Sequence, residues 1–380
     1  MRCDESTQNE ALASNGLKFR VVSYNVLADD LAKEHYRDLY SPTPKKFVLD
    51  WSSRLERIMR EIGKIAPDLV CLQEVEAKHW SAWRARMAKF GFKGSFAGRT
   101  GGCIGGCASF WKDDIFKLAE SPDLIKFSRI SRVDLKHNVC VIVRLQLRAA
   151  KDARNRELVV GNCHLLFNPK RGDIKLGQLR VIFEKIGRLR RSGGEDPHDL
   201  IICGDFNSAP DSPVYRFVSE GELDCVAHDR RHLSGQVEGI DRGFANFNPS
   251  LNRFHVPPDE DEEIEEAVEG LESVAVKMGE NHWSPKQLMN ARGSSDLDAT
   301  RMRHDLNLTS AYACLCGGRE PKFTSAHNRF VGTVDYVWYG GRLEPLAVLD
   351  VPCKGVPRKA MPNKQWPSDH VALCADFVCV

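Results

Sequence analysis

The 380-residue sequence has no apolar run long enough to span a bilayer, which argues against a membrane-spanning helix. Its first eighteen residues lack an apolar signal core and carry Asp4, Glu5 and Glu10, against both a secretory signal and a transit peptide. Charge of one sign is lacking too: 54 Lys and Arg against 52 Asp and Glu leave a formal net charge of +2. Bulk electrostatics do not advertise nucleic-acid binding, so an anionic partner must be met by a local cluster. Neither Cys103/Cys107 nor Cys314/Cys316 has the two-residue gap of a zinc-binding pair. Cys71, Cys140, Cys163 and Cys203 sit inside apolar runs, where cysteine acts as a small hydrophobe, the pattern of a reduced cytosolic or nuclear chain. No repeat is visible. With 42% hydrophobic and 28% charged residues, the composition is that of a globular protein with a real core.

What is present is a series of polar clusters at the ends of short apolar runs. They are Asn25, Gln73-Glu74, His164, Asp205-Phe206-Asn207, Asp335 and Ser368-Asp369-His370. The runs, such as Leu69 to Leu72, Leu158 to Val160, Leu200 to Cys203 and Val331 to Val334, read as buried strands. Open α/β proteins place their sites where the chain turns out of such strands.

The first strand is expected over 19–29, followed by a helix to about Ile65 with Ser52 or Ser53 as N-cap and Pro67 just past its end. A strand over Asp68 to Leu72 and a helix over roughly 78–90 follow. Three or four strands are expected between Gly91 and Cys163, then a helix over Asp173 to Arg191 stopped by Ser192-Gly193-Gly194. Pro213 begins a short helix. This mixture points to an α/β sandwich. We expect residues 1–18 to be a flexible N-terminal segment and 19–380 one catalytic domain, interrupted at about 240–305 by an acidic, partly flexible insertion around Asp259-Glu260-Asp261-Glu262-Glu263.

Hydrolysis of a phosphate ester needs a metal to neutralise charge, an aligned water, a base or orienter, and donors for the transition state. Glu74 suits Mg²⁺, since hard cations take carboxylate oxygen. Asp205 and Asn207 share a strand face, so one can orient the water while the other meets the phosphate or helps hold the metal. His370 can act as general acid/base or cationic clamp, and Asp335 can fix its tautomer. His164 can add a second donor.

The segments Ser23 to Ala28, Cys71 to Val75, His164 to Pro169, Gly204 to Ser208, Thr333 to Tyr336 and Pro367 to His370 resemble the motif series of the endonuclease/exonuclease/phosphatase family. Within it, the chain is similar to the branch of carbon-catabolite-repressor-type deadenylases, nocturnin and Angel proteins, most of all to plant-type members through Asn168 to Leu176 and His228 to Gln236. The resemblance covers about residues 19–380 apart from the acidic insertion. It implies a deoxyribonuclease I-like four-layer fold of two packed mixed sheets flanked by helices. It implies Mg²⁺, or Mn²⁺, on Glu74 with Asn25 and Asp369 near the metal, and Asp205 and Asn207 at the water and phosphate. It pairs Asp335 with His370 and puts His164 on the phosphate. It further implies that Pro169 and Phe330 flank a 3′-terminal adenine. Lys170, Arg171 and Lys175, close to His164 in sequence, are candidates to meet RNA phosphates.

The expected activity is a Mg²⁺-dependent 3′-to-5′ exoribonuclease on RNA with a 3′ poly(A) tail, releasing 5′-AMP in the cytoplasm or nucleus. The alternatives are an Angel-like RNA 2′,3′-cyclic phosphatase, a nocturnin-like dinucleotide phosphatase, or a weakly active RNA- or protein-binding member. Two departures stand out. Gly105-Gly106 occupies the place of the family's Asp-Gly pair, losing a carboxylate that, if it supports the site, lowers activity. The leucine-rich repeats that dock larger relatives to their deadenylase assembly are absent, which puts membership of such a complex in doubt.

Overall fold

The computed structural model describes residues 16–41, 48–148, 157–194, 197–236, 283–294, 300–351 and 361–379. In chain order the elements are β1 (Leu17–Asn25), α1 (Asp29–Glu34), α2 (Trp51–Ile65), β2 (Leu69–Gln73), α3 (Trp80–Ala88), β3 (Phe92–Gly98), β4 (Gly106–Lys112), β5 (Phe116–Leu118), β6 (Asp123–Lys126), β7 (Val139–Leu147) and β8 (Glu157–His164). They continue with α4 (Gly172–Arg191), β9 (Asp199–Asp205), α5 (Pro213–Glu220), β10 (Glu222–Asp224), α6 (Pro285–Arg292), β11 (Arg301–Arg303), β12 (Thr309–Ser310), α7 (Ala311–Leu315), β13 (Ser325–His327), β14 (Phe330–Gly332), β15 (Asp335–Gly340), β16 (Leu343–Val348) and β17 (Leu373–Cys379).

Two mixed sheets result. One runs β16-β17-β1-β2-β4-β3, the other β12-β15-β9-β8-β7-β5 with β6 also on β7. At the centre of each lies one parallel pair, β1 with β2 and β8 with β9, made by the crossover helices α2 and α4. Because β1 pairs with β17, the two ends of the described chain close one sheet.

Strand parity divides the apolar residues into layers. Phe19, Val21, Leu69, Cys71, Leu158, Val160, Ile201, Cys203 and Val337 point into the core between the sheets. Val22, Tyr24, Val70 and Leu72 point the other way, onto α2 and α3 through Leu55, Ile58, Ile62, Trp83 and Met87. Val159, Leu200 and Ile202 meet α4, α5 and α6 through Leu179, Ile182, Val214 and Leu288. The order of layers is helix, sheet, sheet, helix, as the resemblance implies. Truncating a residue such as Ile201 to Ala would cost about 2–5 kcal/mol, a large share of a typical stability of about 5–15 kcal/mol.

Several boundaries differ from the sequence reading. Helix α2 starts at Trp51 because Asp50, ahead of Ser52 and Ser53, caps it by accepting from Ser53 N at 2.9 Å. Among the described residues between Gly91 and His164 there are six strands, rather than three or four, because the short β5 and β6 add to β7 at the sheet edge. Asp335 opens a strand instead of closing one: Phe330–Gly332 forms a separate hairpin with Ser325–His327. The acidic run and residues 1–15 lie outside the described residues. The later part of the expected insertion is integral: Trp283, Leu288 and Ala291 are buried against α4, and a side-chain carbon at Gly177 would sit 2.3 Å from the Asn290 carbonyl oxygen.

Candidate active site

The parity that builds the inter-sheet core also builds the site. Asn25 follows Val21 and Ser23 on the inward face, Gln73 follows Cys71, His164 follows Val160 and Asn162, and Asp205 follows Cys203. Asp335 precedes Val337 on the same face. Parallel strands deliver their C-terminal ends to one edge, and the antiparallel β15 and β17 deliver their N-terminal ends there. Register makes this concrete, since Asp205 lies opposite both His164 and Asp335.

Asp205 is the hub. Its Oδ2 accepts from Asn25 Nδ2 at 3.0 Å and lies 3.6 Å from His164 Nε2 and 3.8 Å from His370 Nε2. Its Oδ1 accepts from the backbone N–H of Asn207 at 2.9 Å. Burial, then the neighbouring Asp335 carboxylate, pushes the Asp205 carboxyl up to about 7. His370 Nδ1 pairs with Asp335 Oδ2 at 2.8 Å. Burial alone would lower the His370 imidazole, but the Asp335 carboxylate outweighs it and holds it well above its ordinary range. His164 goes the other way: burial, then the charge of Arg99, pulls it down to about 3, so it stays neutral.

On the opposite sheet, Asn25 Nδ2 also donates to Glu74 Oε1 at 3.0 Å, and Ala28 N donates to Glu74 Oε2 at 2.8 Å. One amide thus ties Glu74 to Asp205 across the two sheets. Glu74 adopts a left-handed backbone (φ 60°), as does Asn207 (φ 46°), and such strain gathers at functional sites. Asp369 joins through Ser368, whose hydroxyl donates to the Asn25 carbonyl at 2.7 Å and lies 3.4 Å from Asp369 Oδ1, while the Tyr40 hydroxyl donates to Asp369 Oδ2 at 2.9 Å. Asn207 is buried and spends one amide hydrogen on the Leu165 carbonyl at 3.1 Å. Asn25, Glu74, His164, Asp205, Asn207, Asp335, Asp369 and His370 therefore sit in one connected network.

The donor set fits a hard divalent cation. Ligand atoms of Asp205, Asp335 and His370 lie within 4.8 Å of one another, Asp335 Oδ1 is buried with no hydrogen-bond partner among the described residues, and Glu74 adds a third carboxylate on Asn25. Carboxylates crowded this closely, with Asp205 and Asp335 buried, need positive charge, and oxygen donors favour Mg²⁺ or Mn²⁺ over thiophilic metals.

The substrate-contact expectations fare unevenly. Lys170 is exposed. Arg171 is instead buried, its Nε and Nη2 both 3.2 Å from the Asp173 carboxylate, so the fork expected for RNA phosphate is taken inside the fold. Lys175 is likewise buried, with Nζ on the Asn207 carbonyl at 2.5 Å and on Gln236 Oε1 at 3.3 Å. An amphipathic helix turns some cations inward, and spacing from His164 cannot say which. Pro169 is buried, its carbonyl accepting from Ser234 Oγ at 2.9 Å, while Phe330 is half-buried with its ring 6.1 Å from that of His327. Phe167, two residues before Pro169, is the exposed apolar face of that loop.

Sequence reasoning missed several supports. Gln73 Nε2 donates to Asn162 Oδ1 at 2.9 Å, and Asn162 Nδ2 reaches the Leu72 and Ala108 carbonyls at 3.1 and 2.9 Å, a polar stitch between the sheets beneath the site. The inward parity of Asn162, two residues before His164, was the available signal. Glu76 accepts from the N–H groups of Asp29 and Asp30 at 3.0 and 3.2 Å, capping α1, whose approach brings Ala28 N to Glu74.

A model of the endonuclease/exonuclease/phosphatase family matches residues 22–370. The Arabidopsis thaliana carbon catabolite repressor protein 4 homolog 5 is 36% identical, over 95% of this chain and 77% of its own length. Human protein angel homolog 2 is 30% identical, over 99% of this chain and 71% of its own length. Among solved structures, ANGEL2, described as a 2′,3′-cyclic phosphatase and bound to adenosine-2′,3′-vanadate, superposes with a TM-score of 0.74 at 28% identity, covering 96% of both chains.

Proposed function

The chain belongs to the endonuclease/exonuclease/phosphatase family, and from that premise we propose that it is a Mg²⁺-dependent 3′-to-5′ exoribonuclease that shortens poly(A) tails and releases 5′-AMP. The observation that carries this reading is Asp205, a carboxylate held near neutrality between a neutral His164 and a cationic His370, with Glu74 tied to it through Asn25.

Asp205 takes the proton of the attacking water through Oδ2, its acidity being matched to neutral pH. The oxygen of that water bonds to phosphorus as the bond from phosphorus to the 3′ oxygen of the shortened chain breaks, and that oxygen leaves by taking up a proton from solvent. His370, kept charged by Asp335, holds the growing negative charge on the phosphate, and His164 donates a second hydrogen bond. Glu74, Asn25 and Asp369, with Asp205 beside them, would hold the cation, which supplies further charge neutralisation when bound. Phe330 and the exposed Phe167 offer aromatic faces to a base.

A second reading is favoured by the likeness to ANGEL2: the same groups would open a 2′,3′-cyclic phosphate at an RNA end. Purified protein on 5′-labelled RNA ending in an adenosine tract, beside the same RNA with a cyclic end, separates the two. Stepwise shortening with Mg²⁺, absent with EDTA and in His370→Ala, supports the first. Unchanged length with loss of the cyclic end moves the assignment to the second.

A further inference from the structure

A second set of metal-ligating side chains lies close to Glu74 in the chain but takes no part in the chemistry above. Asp29 opens α1, Glu76 follows Glu74 by two residues, and His79 ends the 3₁₀ turn Ala77–His79 that leads into α3. One ligand atom from each of the three lies within 4.8 Å of the other two. His79 Nε2 stands 3.3 Å from Glu76 Oε2 and 3.7 Å from Asp29 Oδ2.

These separations do not serve hydrogen bonding, since Nε2 is buried and has no hydrogen-bond partner among the described residues. They do suit a shared cation: two ligands each about 2.0–2.1 Å from a tetrahedral metal stand about 3.3–3.5 Å apart. Asp29 and Glu76 are buried, and Asp29 Oδ1 is a second buried atom with no hydrogen bond among the described residues. Glu76 Oε2 accepts from the Asp29 N–H at 3.0 Å, which leaves it a second lone pair. The Trp51 ring stacks on His79 with centroids 4.3 Å apart and so fixes the plane of the imidazole.

Two lysines compete for the same oxygens. Lys33 Nζ lies 2.6 Å from Asp29 Oδ2, and Lys78 Nζ lies 3.3 Å from Glu76 Oε1 and 2.5 Å from Asp30 Oδ1. Both lysine side chains are largely in solvent, where ion pairs contribute little and a long chain can swing away. Neither gives His79 Nε2 a partner.

We propose that Asp29, Glu76 and His79 form a second, structural cation site that takes Zn²⁺, with water as the fourth ligand. Two carboxylates and an imidazole suit Zn²⁺, whereas Mg²⁺ prefers oxygen ligands and retained water. The site is distinct from the carboxylates around Asp205 and does not rest on the reaction assigned to them. The ion clamps the start of α1 to the segment after β2, beside the contact that brings Ala28 N to Glu74 Oε2 at 2.8 Å.

The test strips the full chain with EDTA and titrates it with Co²⁺, then with Zn²⁺, in excess Mg²⁺. Wild type, Glu74→Gln, His79→Gln and Asp29→Asn are compared. Tetrahedral Co²⁺ absorbs visible light far more strongly than octahedral Co²⁺, so it reports the coordination directly. Strong absorption is expected in the wild type and in Glu74→Gln, bleached by one equivalent of Zn²⁺. His79→Gln should weaken Zn²⁺ by at least about a hundredfold, the upper end for losing a ligand's support alone. Asp29→Asn should weaken it as well, and it keeps the side chain's shape, so the test stands if His79→Gln fails to fold. Three results overturn the proposal: no strong absorption in the wild type, its loss in Glu74→Gln, or unchanged Zn²⁺ affinity in either ligand variant. The second of these would place the ion at the catalytic carboxylates.

Discussion

His370 and Asp335 meet through Nδ1 and Oδ2 at 2.8 Å with both side chains buried, and among the described residues the second oxygen of Asp335 has no hydrogen bond. The pair keeps the imidazole charged against the effect of burial. Asp335→Asn retains an acceptor for Nδ1–H but removes the charge, so His370 should lose its proton at lower pH. We expect kcat to fall by about two to four orders of magnitude with KM little changed, as for other buried acids that orient a histidine. The alkaline limb of the pH–rate profile should move to lower pH; a limb that stays put would show that His370 does not act as the cation.

Asn25 bridges Glu74 and Asp205 with one amide nitrogen, at 3.0 Å to each. Asn25→Ala removes the group that orients both carboxylates. The Mg²⁺ concentration giving half-maximal activity should rise by about 10–100-fold, the usual effect of losing such support. A metal titration of turnover checks this, and an unchanged midpoint would place the cation away from Glu74.

The crowding of Glu74, Asp205 and Asp335 should make the folded state cation-dependent. At a hundred times the dissociation constant, a bound ion adds about 2.7 kcal/mol to stability. Thermal melting is therefore expected to rise with Mg²⁺ or Mn²⁺ but not with NaCl at matched ionic strength, and Glu74→Gln should lose most of the rise.

Lys175 is fully buried, and burial pulls its ammonium down to about 7 from an ordinary 10.5. Below about pH 7 both folded and unfolded chains carry the charge, so the cost of burying it is present in full. Between about 7 and 10.5 the folded amine is neutral while the unfolded one still holds its proton, so the penalty shrinks as pH rises. Relative to Lys175→Met, the wild type should gain a few kcal/mol between about pH 6.5 and pH 9.5 in urea unfolding. A pH-independent difference would mean that the amine stays charged.

Gly177 on α4 faces the Asn290 carbonyl of α6, where an added carbon would stand 2.3 Å from the oxygen. In an isolated helix Gly→Ala stabilises by about 1 kcal/mol. Here the contact is with backbone, which yields little, so Gly177→Ala should instead destabilise by about 1–3 kcal/mol. Denaturant unfolding gives the sign, and a stabilised variant would show that α6 is loosely held.

Much of this molecule is visible in the sequence because a buried strand writes itself locally. A run such as Leu200 to Cys203 can be satisfied only between two apolar layers, and the polar residue that ends it, Asp205, marks the edge where the chain leaves the sheet. The same pattern points to Asn25, Glu74, His164, Asp205 and His370, which the fold brings together, and the motif series implies the four-layer architecture.

What local pattern could not give is direction and partnership. Arg171 and Lys175 lie on the same helical approach as the exposed Lys170, yet Asp173 and the Asn207 carbonyl claim them, because a helix docked on two surfaces turns cations inward that sequence alone leaves facing solvent. Asp335 begins its strand rather than ending one, and only the antiparallel pairing of β15 with β9 brings it opposite Asp205. The acidic composition before Trp283 suggested an insertion running on to 305, but Leu288 and Ala291 complete the core over α4, a long-range packing with no local signature.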